Sequence, residues 1–235
     1  MTDDGKRRWT GKGIGEGKGS AGRTAKKKVP AYNAKNESSK RWIERQLADP
    51  YVKQAQADGY RSRAAYKLLE LQEKYSLIKK GDAVVDLGAA PGGWVQVAQK
   101  LGAAQVVGID LLDIEPIAGA TLLKGDVQDE EIMDELISHL GGKADVVLSD
   151  MAANTVGHKQ TDHLRTVALV ELAVDFAFDT LKPGGHFCSK VFQGGTSPEL
   201  LEKLKSRFTE VRHAKPAASR KNSPEIYVVA KGFRG

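Results

Sequence analysis

The stretch Asp86-Leu87-Gly88-Ala89-Ala90-Pro91-Gly92-Gly93-Trp94 decides the fold class of this 235-residue chain. It continues an apolar run at 83–87 that is too short for a helix, and it precedes a segment with helical spacing at 95–101. Small residues directly after a strand let a ligand approach the backbone closely, and glycine supplies any positive φ in the turn. The stretch therefore predicts a strand, a turn and a helix, with a ligand site at the turn.

The alternation of strands and helices continues along the chain. Further strands are predicted at 105–109, 121–123, 144–148, 186–192 and 226–230, and further helices near 129–140, 161–181 and 198–208. Before the first strand, we expect a helix from an N-cap at Ser62 to a stop at Gly81, and a short amphipathic helix at 42–47 closed by Asp49-Pro50. Continuously apolar strands interleaved with helices predict an α/β, Rossmann-like fold, with a mostly parallel central sheet flanked by helices.

Composition excludes several classes of protein. A hydrophobic content of 40% suffices for one core, so fibrous and wholly disordered chains are excluded. The single cysteine, Cys188, cannot form an intramolecular disulfide, and no apolar run reaches the ~18 residues of a membrane-spanning helix. We expect a cytoplasmic protein without a membrane segment.

The positive charge is concentrated in the first forty residues. Residues 1–40 hold eleven Lys and Arg against four Asp and Glu, a formal charge of +7 that leaves −1 for the rest of the chain. This glycine-rich segment lacks the apolar surface that would offset the entropy of ordering it. We predict that 1–40 is a disordered basic tail and 41–235 the folded domain. The tail either binds RNA or acts as a solubilising leader.

The turn after the first strand indicates which ligand it binds. Ala90 and Pro91 break a dinucleotide fingerprint, and the Gly-Lys-Ser/Thr of a P-loop is missing, so a phosphate cradle is disfavoured. Asp110 lies about 20 residues further on, where a carboxylate typically accepts hydrogen bonds from ribose hydroxyls. A nucleoside without phosphate, of which S-adenosylmethionine is the commonest cofactor, fits this pattern.

Carboxylates at successive strand ends support a cationic cofactor. Each of them, taken alone, is more simply a helix-capping residue, but four in register suit a sulfonium and an ammonium group. They are Asp86, Asp110, Asp126 and Asp150.

Several motifs together resemble one family. DLGAAPGGW, then GID, KGD, VLSDMAANTVG and HFCSKVFQGG are similar to the FtsJ/RrmJ family of 2′-O-ribose methyltransferases, which modify bacterial large-subunit ribosomal RNA. YRSRAAYKL resembles the family's opening helix and SRKNSPEIY its last hairpin. The resemblance runs from about residue 59 to 232 and implies an S-adenosylmethionine-dependent methyltransferase fold.

The resemblance also implies the site residues. It places a catalytic tetrad on Lys67, Asp150, Lys190 and Glu225, with Lys190 as proton acceptor from the ribose 2′-hydroxyl. It implies cofactor contacts at Gly92, Trp94, Asp110, Asp126 and Asp150. The chain departs from the family at Ala153, where relatives often have proline.

The residues themselves leave the role of Lys190 open. An ammonium acts as a base near neutral pH only if its pKa falls, and Asp150 and Glu225 would favour its charged form. Lys190 therefore either removes the proton or positions the hydroxyl. No metal is expected, because the five histidines show no ligand spacing.

The predicted function is methylation of a uridine ribose 2′-hydroxyl in 23S rRNA, within the large ribosomal subunit, by a monomer. Candidate RNA contacts are the tail, Arg61, Arg63, Lys67, Lys215, Arg220 and Lys221. Two alternatives stay open: ribose methylation of transfer RNA or of a messenger-RNA cap, and a catalytically silent RNA-binding assembly factor.

Overall fold

The computed structural model describes Glu44 and residues 48–153, 159–192 and 196–235. Within these residues, seven strands form one sheet in the order β3-β2-β1-β4-β5-β7-β6. The strands are β1 (Ala83–Leu87), β2 (Gln105–Asp110), β3 (Thr121–Lys124), β4 (Ala144–Ser149), β5 (Leu181–Phe192), β6 (Phe208–Ala214) and β7 (Glu225–Phe233). The helices are α1 (Pro50–Ala57), α2 (Ala64–Tyr75), α3 (Gly93–Lys100), α4 (Glu130–Leu140), α5 (Lys159–Thr180) and α6 (Pro198–Arg207).

The predicted α/β fold with a mostly parallel sheet is confirmed. Strands β1 to β5 pair in parallel, and only β7 pairs antiparallel, with both β5 and β6. Side chains of β1 alternate between two buried clusters, because successive residues of a strand point to opposite faces. Val85 and Leu87 pack in the cluster that includes α4, α5 and α6, whereas Val84 packs with α2 and α3. Helices on both faces thus bury a sheet whose inner strands are mostly apolar, with buried polar residues such as Asp86 and Lys190 toward the carboxyl ends of the parallel strands.

Helix α2 differs at both ends from the prediction. It begins at Ala64, and Arg63 occupies the N-cap position without a capping side-chain hydrogen bond, so the prediction of Ser62 as N-cap is wrong. It ends at Tyr75, well before Gly81, because Ser76 adopts a left-handed conformation. The Gln72 side chain accepts a hydrogen bond from Ile78 N and donates one to Ile78 O, which turns the chain away from the helix axis.

Asp49 and Pro50 separate two helical segments, because Ala48 is helical and a new helix begins at Pro50. The Asp49 side chain accepts a hydrogen bond from Tyr51 N at 3.1 Å, and Pro50 fills the first helical position, where its missing N–H costs nothing. Glu44 is helical, in agreement with the predicted helix at 42–47, but the other residues of that segment lie outside the described residues. The predicted disorder of 1–40 also lies outside them.

The other difference lies at the edge of the sheet. Strand β6 was not predicted from the sequence, because only its two terminal residues are buried and its centre is charged and polar.

No helix among the described residues is both long enough and apolar enough to cross a membrane.

Candidate active site

Four residues from distant parts of the chain converge at one edge of the sheet. Lys67 lies on α2, Asp150 follows β4, Lys190 lies in β5 and Glu225 opens β7. Ser149 pairs with Ser189, so Asp150 and Lys190 are the next residues along two neighbouring strands. Strand pairing therefore brings two members of the predicted tetrad together, and α2 adds Lys67 from the face that it covers.

Asp150 is the centre of this cluster. Its Oδ1 lies 3.3 Å from Lys190 Nζ, and its Oδ2 lies 3.8 Å from Lys67 Nζ. Lys190 Nζ also donates to the backbone carbonyl of Asp150 at 2.5 Å. Since the Lys190 side chain is only 7% exposed, one carboxylate orients both amines in a largely dry environment.

Glu225 forms the second half of the cluster. Its two carboxylate oxygens lie 2.8 and 2.9 Å from Lys67 Nζ, so Lys67 bridges Glu225 and Asp150. The Ser219 hydroxyl donates to Glu225 Oε1 at 2.8 Å, and Ser219 is buried. Ser219 therefore fixes the carboxylate that holds Lys67. This role could not be predicted from the sequence, because one serine in a loop carries no pattern.

Tyr227 is a further residue that the sequence reasoning missed as a site residue. It pairs with Lys190 across β5 and β7, and its hydroxyl donates to Asp150 Oδ1 at 2.7 Å. Burial raises the pKa of the Tyr227 hydroxyl, and the neighbouring carboxylates of Asp150 and Glu225 raise it further. The hydroxyl therefore stays a hydrogen-bond donor to Asp150 at neutral pH.

A cavity of about 620 Å³ opens beside Asp150, at the carboxyl ends of the parallel strands. Its walls combine the turn after β1, the loops after β2 and β4, and α5; they include Gly88, Ala90, Asp110, Leu112, Asp150 and Leu169. A narrower cavity of about 120 Å³, lined by Asp110 and Asp126, shares Gly88 and Leu169 with it. This is the position where open α/β sheets bind ligands.

Asp110 and Asp126 line this space and also hold its loops. Asp110 accepts hydrogen bonds from Ala90 N and Leu112 N, both at 2.9 Å, through different oxygens. Asp126 accepts one from Gln128 N at 3.0 Å. A carboxylate offers about four acceptor positions. Both residues therefore keep the capacity to accept hydrogen bonds from a ligand in the cavity.

Asp86 lies behind the cavity as a fully buried acid. Neither of its oxygens receives a hydrogen bond from any residue that the structure describes. Burial raises the pKa of its carboxyl well above the usual value, and the charges of Asp150 and Asp110 add to the effect. A buried carboxyl without a partner is costly. A cationic group placed next to it would relieve that cost.

Gly92 and Trp94 do not line either cavity. Gly92 is the N-cap of α3 with φ +107°, and a Cβ there would lie 2.6 Å from Ile117 Cδ1. Trp94 is buried against the Tyr227 ring, and its indole N–H donates to Ala64 O at 2.8 Å. The structure therefore assigns Trp94 a packing role beneath the cluster.

The turn after β1 approaches the loop after β4 closely. Gly88 has φ +81°, and a Cβ there would lie 2.8 to 2.9 Å from Met151 atoms, including the backbone. Asp150 N also donates to Leu87 O at 3.2 Å. Only glycine fits where these two segments touch.

A third cavity, of about 260 Å³, lies on the other side of Lys67. It is lined by Ser62, Arg63, Ala64, Lys67, Pro91, Arg220, Ser223 and Glu225. Because Lys67 and Glu225 line this cavity and Asp150 lines the large one, the four-residue cluster stands where the two spaces meet. A substrate entering from one side would thus face a ligand bound in the other.

The predicted RNA-binding cations differ in whether their side chains already bind other groups of the protein. The Arg61 guanidinium donates to the backbone carbonyls of Pro91, Glu115 and Pro116, and so ties the turn after β1 to the loop after β2. Lys215 donates to Ser223 O at 2.8 Å. Lys221 is exposed.

Within the described residues, no group of three or more His, Cys, Asp or Glu side chains could hold a metal ion.

Comparisons with known proteins agree with this geometry. A model of the FtsJ-like methyltransferase family matches residues 60–233. The curated ribosomal RNA large subunit methyltransferase E of Hyphomonas neptunium is 60% identical over 234 residues, which cover 100% of both chains. The protein of the same name from Granulibacter bethesdensis is 63% identical over 197 residues, which cover 84% of this chain and 86% of the relative.

A solved structure shares the fold. A protein from Plasmodium falciparum, described as a ribosomal RNA methyltransferase, superimposes with a TM-score of 0.67 at 33% identity. The match covers 75% of this chain and 100% of that one.

Proposed function

The chain belongs to the FtsJ-like methyltransferase family. We propose that it uses S-adenosylmethionine to methylate the 2′-hydroxyl of a uridine ribose in 23S rRNA. The names of its curated relatives support a ribosomal RNA of the large subunit as substrate. The reaction then takes place in the cytoplasm, where large subunits are assembled, and we propose that the protein acts as a monomer.

One observation carries the proposal: Lys67, Asp150, Lys190 and Glu225 meet between two cavities. The large cavity is acidic and close to glycine backbone, and the smaller one is bordered by cations. A cationic donor therefore suits the first and an RNA nucleotide the second. The acceptor oxygen would meet the donor at the cluster itself.

The residues around the large cavity fit S-adenosylmethionine. Asp110 and Asp126 keep free acceptor positions for ribose hydroxyls and polar adenine edges. Asp150 supplies negative charge at the cavity wall for the sulfonium or ammonium group. A bound cation close to Asp86 would favour the charged form of that buried acid, whose pKa is raised in its absence. The cofactor supplies an electrophilic methyl group on a good leaving group, so the protein contributes mainly positioning and electrostatics.

The cluster acts on the acceptor hydroxyl. Lys190 Nζ has three hydrogen positions as an ammonium, of which two face the carbonyl and Oδ1 of Asp150. Among the described residues the third position has no further hydrogen-bond partner, so it can face the 2′-oxygen. As an ammonium, Lys190 orients that oxygen through an N–H; as a neutral amine, it accepts the hydroxyl proton on its lone pair and becomes the ammonium. Lys67 and Glu225 keep Asp150 in place. Because the Lys190 side chain is 7% exposed, water has little access to compete with the ribose.

The proposal is tested by following a labelled methyl group. Purified protein is incubated with labelled S-adenosylmethionine and, in parallel, with undermethylated large ribosomal subunits, free 23S rRNA, transfer RNA and capped messenger RNA. We expect label only on the ribosomal RNA, released on digestion as 2′-O-methyluridine. Label on a base atom would refute ribose methylation, and label on transfer RNA or on a cap would identify the alternative substrate. No label with any RNA would favour the silent assembly factor.

A further inference from the structure

Arg63 is an internal brace and not a free cation. Its side chain is 14% exposed, and its two terminal nitrogens donate to the Asp49 carboxylate and to Ala218 O. The guanidinium also lies over the Tyr51 ring, with 5.5 Å between its central carbon and the ring centroid. Arg63 therefore connects α1 and the 216–220 turn to the start of α2. Its positive charge is paired with Asp49 inside the protein.

Arg220 is the exposed partner in the same arrangement. Its Nε lies 3.5 Å from Asp49 Oδ2, the oxygen that also contacts Arg63. Asp49 is 9% exposed and Arg220 is 40% exposed, so the acid lies behind the arginine. Arg220 lines the 260 Å³ cavity together with Lys67 and Glu225. One buried carboxylate thus connects two guanidiniums that are 157 residues apart.

We propose that Asp49 is a positioning residue for RNA. It keeps Arg63 as a brace and directs Arg220 toward the cavity beside Lys67, where Arg220 contacts a phosphodiester next to the target ribose. This inference rests on the proposed function. It gives a role to a residue that precedes the family match at 60–233. Guanidinium is suited to this contact because its planar donors match phosphate oxygens in pairs.

The surrounding charges permit an anion at this place. Three carboxylates near the contact already have partners. Asp49 is engaged by two arginines and Glu225 by Lys67. Glu70 accepts hydrogen bonds from Ala218 N and from the Tyr51 hydroxyl. At Asp49 itself two guanidiniums face one carboxylate, and this local excess of positive charge favours a phosphate. Because Asp49 lies on the buried side, the outer nitrogens of Arg220 remain available.

The 216–220 turn has a second anchor that is independent of Asp49. Both oxygens of the Glu70 carboxylate accept from Ala218 N, at 3.0 and 3.1 Å. Removing the charge of Asp49 should therefore release the Arg220 side chain and leave the turn in place. Ser219, which fixes Glu225, should then keep its position.

The first test is Asp49→Asn, which retains an N-cap acceptor for α1 and loses the charge. We expect the KM for large ribosomal subunits to rise about tenfold, the effect of losing one charge-assisted contact, while kcat and the KM for the methyl donor stay within about twofold. Affinity for a generic 20-nucleotide RNA should stay equal or increase, since the protein gains a positive charge. Asp175→Asn, at an exposed acid paired with Lys203, makes the same charge change and should alter none of these values.

The second test is Arg220→Gln, which leaves the Asp49–Arg63 pair and the fold intact. It should raise the KM for large subunits to a similar degree and reduce the salt slope of RNA binding by about one. In the double variant with Asp49→Asn, the two effects should not add, because both remove the same contact.

Three results would overturn the inference: an unchanged KM for large subunits in Asp49→Asn, additive effects in the double variant, or a rise in that KM accompanied by an equal fall in generic RNA affinity. The last would mean that Asp49 only supports the fold. If wild-type protein transfers no methyl group to ribosomal RNA, the proposed function itself fails. The salt slope of Arg220→Gln still tests the arginine contact in that case.

Discussion

The Tyr227 hydroxyl donates a hydrogen bond to Asp150 Oδ1 at 2.7 Å, and the same oxygen lies 3.3 Å from Lys190 Nζ. Tyrosine and lysine are register partners on β7 and β5, so the sheet itself sets their spacing. The Asp150 carboxylate is thereby fixed from three sides, since Lys67 lies 3.8 Å from Oδ2. Its orientation is decided before any substrate binds.

Replacing Lys190 tests whether it accepts the proton or only positions the hydroxyl. Lys190→Ala should lower kcat about 10²- to 10⁴-fold, the usual contribution of a proton-transfer residue, and leave donor affinity unchanged. Lys190→Arg separates the two roles, because arginine donates hydrogen bonds but does not deprotonate. Substantial activity in the arginine variant would indicate positioning. The control is Lys205→Ala, at an exposed lysine of α6; near-normal activity of Lys190→Ala would refute both roles.

Ser219→Ala tests how far Glu225 depends on a single hydroxyl. The change removes the hydrogen bond at 2.8 Å and should lower kcat about tenfold, with little effect on KM, because a loosened Glu225 no longer holds Lys67. Single-turnover assays with saturating large subunits measure the change. Ser206→Ala removes an exposed hydroxyl that bonds within α6 and should have no effect. Equal activity of the two variants would show that Glu225 is held without Ser219.

Asp86→Asn should change how stability depends on pH. The pKa of Asp86 is raised in the folded protein, so the folded state binds more protons than the unfolded state above pH ~4. The free energy of unfolding of the cofactor-free protein therefore falls as pH rises from ~4 through the folded pKa. The asparagine variant lacks this contribution. Urea unfolding of both proteins between pH 4.5 and 8 should show their stability difference shifting in favour of the variant as pH rises; a constant difference would contradict the assignment.

Deleting residues 1–40 tests the basic tail. These residues carry eleven Lys and Arg, and counterion release makes the affinity of such segments for RNA strongly salt-dependent. We expect a shallower slope of log affinity against log salt concentration and an unchanged thermal unfolding midpoint. Filter binding from about 50 to 300 mM salt measures the slope, a range in which phosphate contacts dominate. An unchanged slope would leave the tail as a solubilising leader.

Much of the fold could be predicted because its inner strands carry a clear signal. β1, β2 and β4 are short, mostly apolar runs between glycines or charged residues. β6 gave no such signal, because it lies at the sheet edge and exposes charged side chains such as Glu210 and Arg212. Charged edges protect sheets from pairing with other chains.

The site was predictable where residues sit in motifs and unpredictable where geometry alone recruits them. The tetrad positions followed from a resemblance to one family, and the structure brings all four together. Ser219 and Tyr227 were missed as site residues because their roles depend on which atoms their hydroxyls reach after folding. Asp49 was read as a helix stop, since a local rule cannot see partners at positions 63 and 220.

The contact between Gly88 and Met151 sets the spacing between the turn after β1 and the loop after β4. A side chain at position 88 would collide with the backbone and the Cγ of Met151, so the close approach of these two loops requires glycine. Substitutions in the walls of the two cavities can change which ligands bind there without changing this contact. The span that a methyl group must cross is therefore set by the backbone of the two loops.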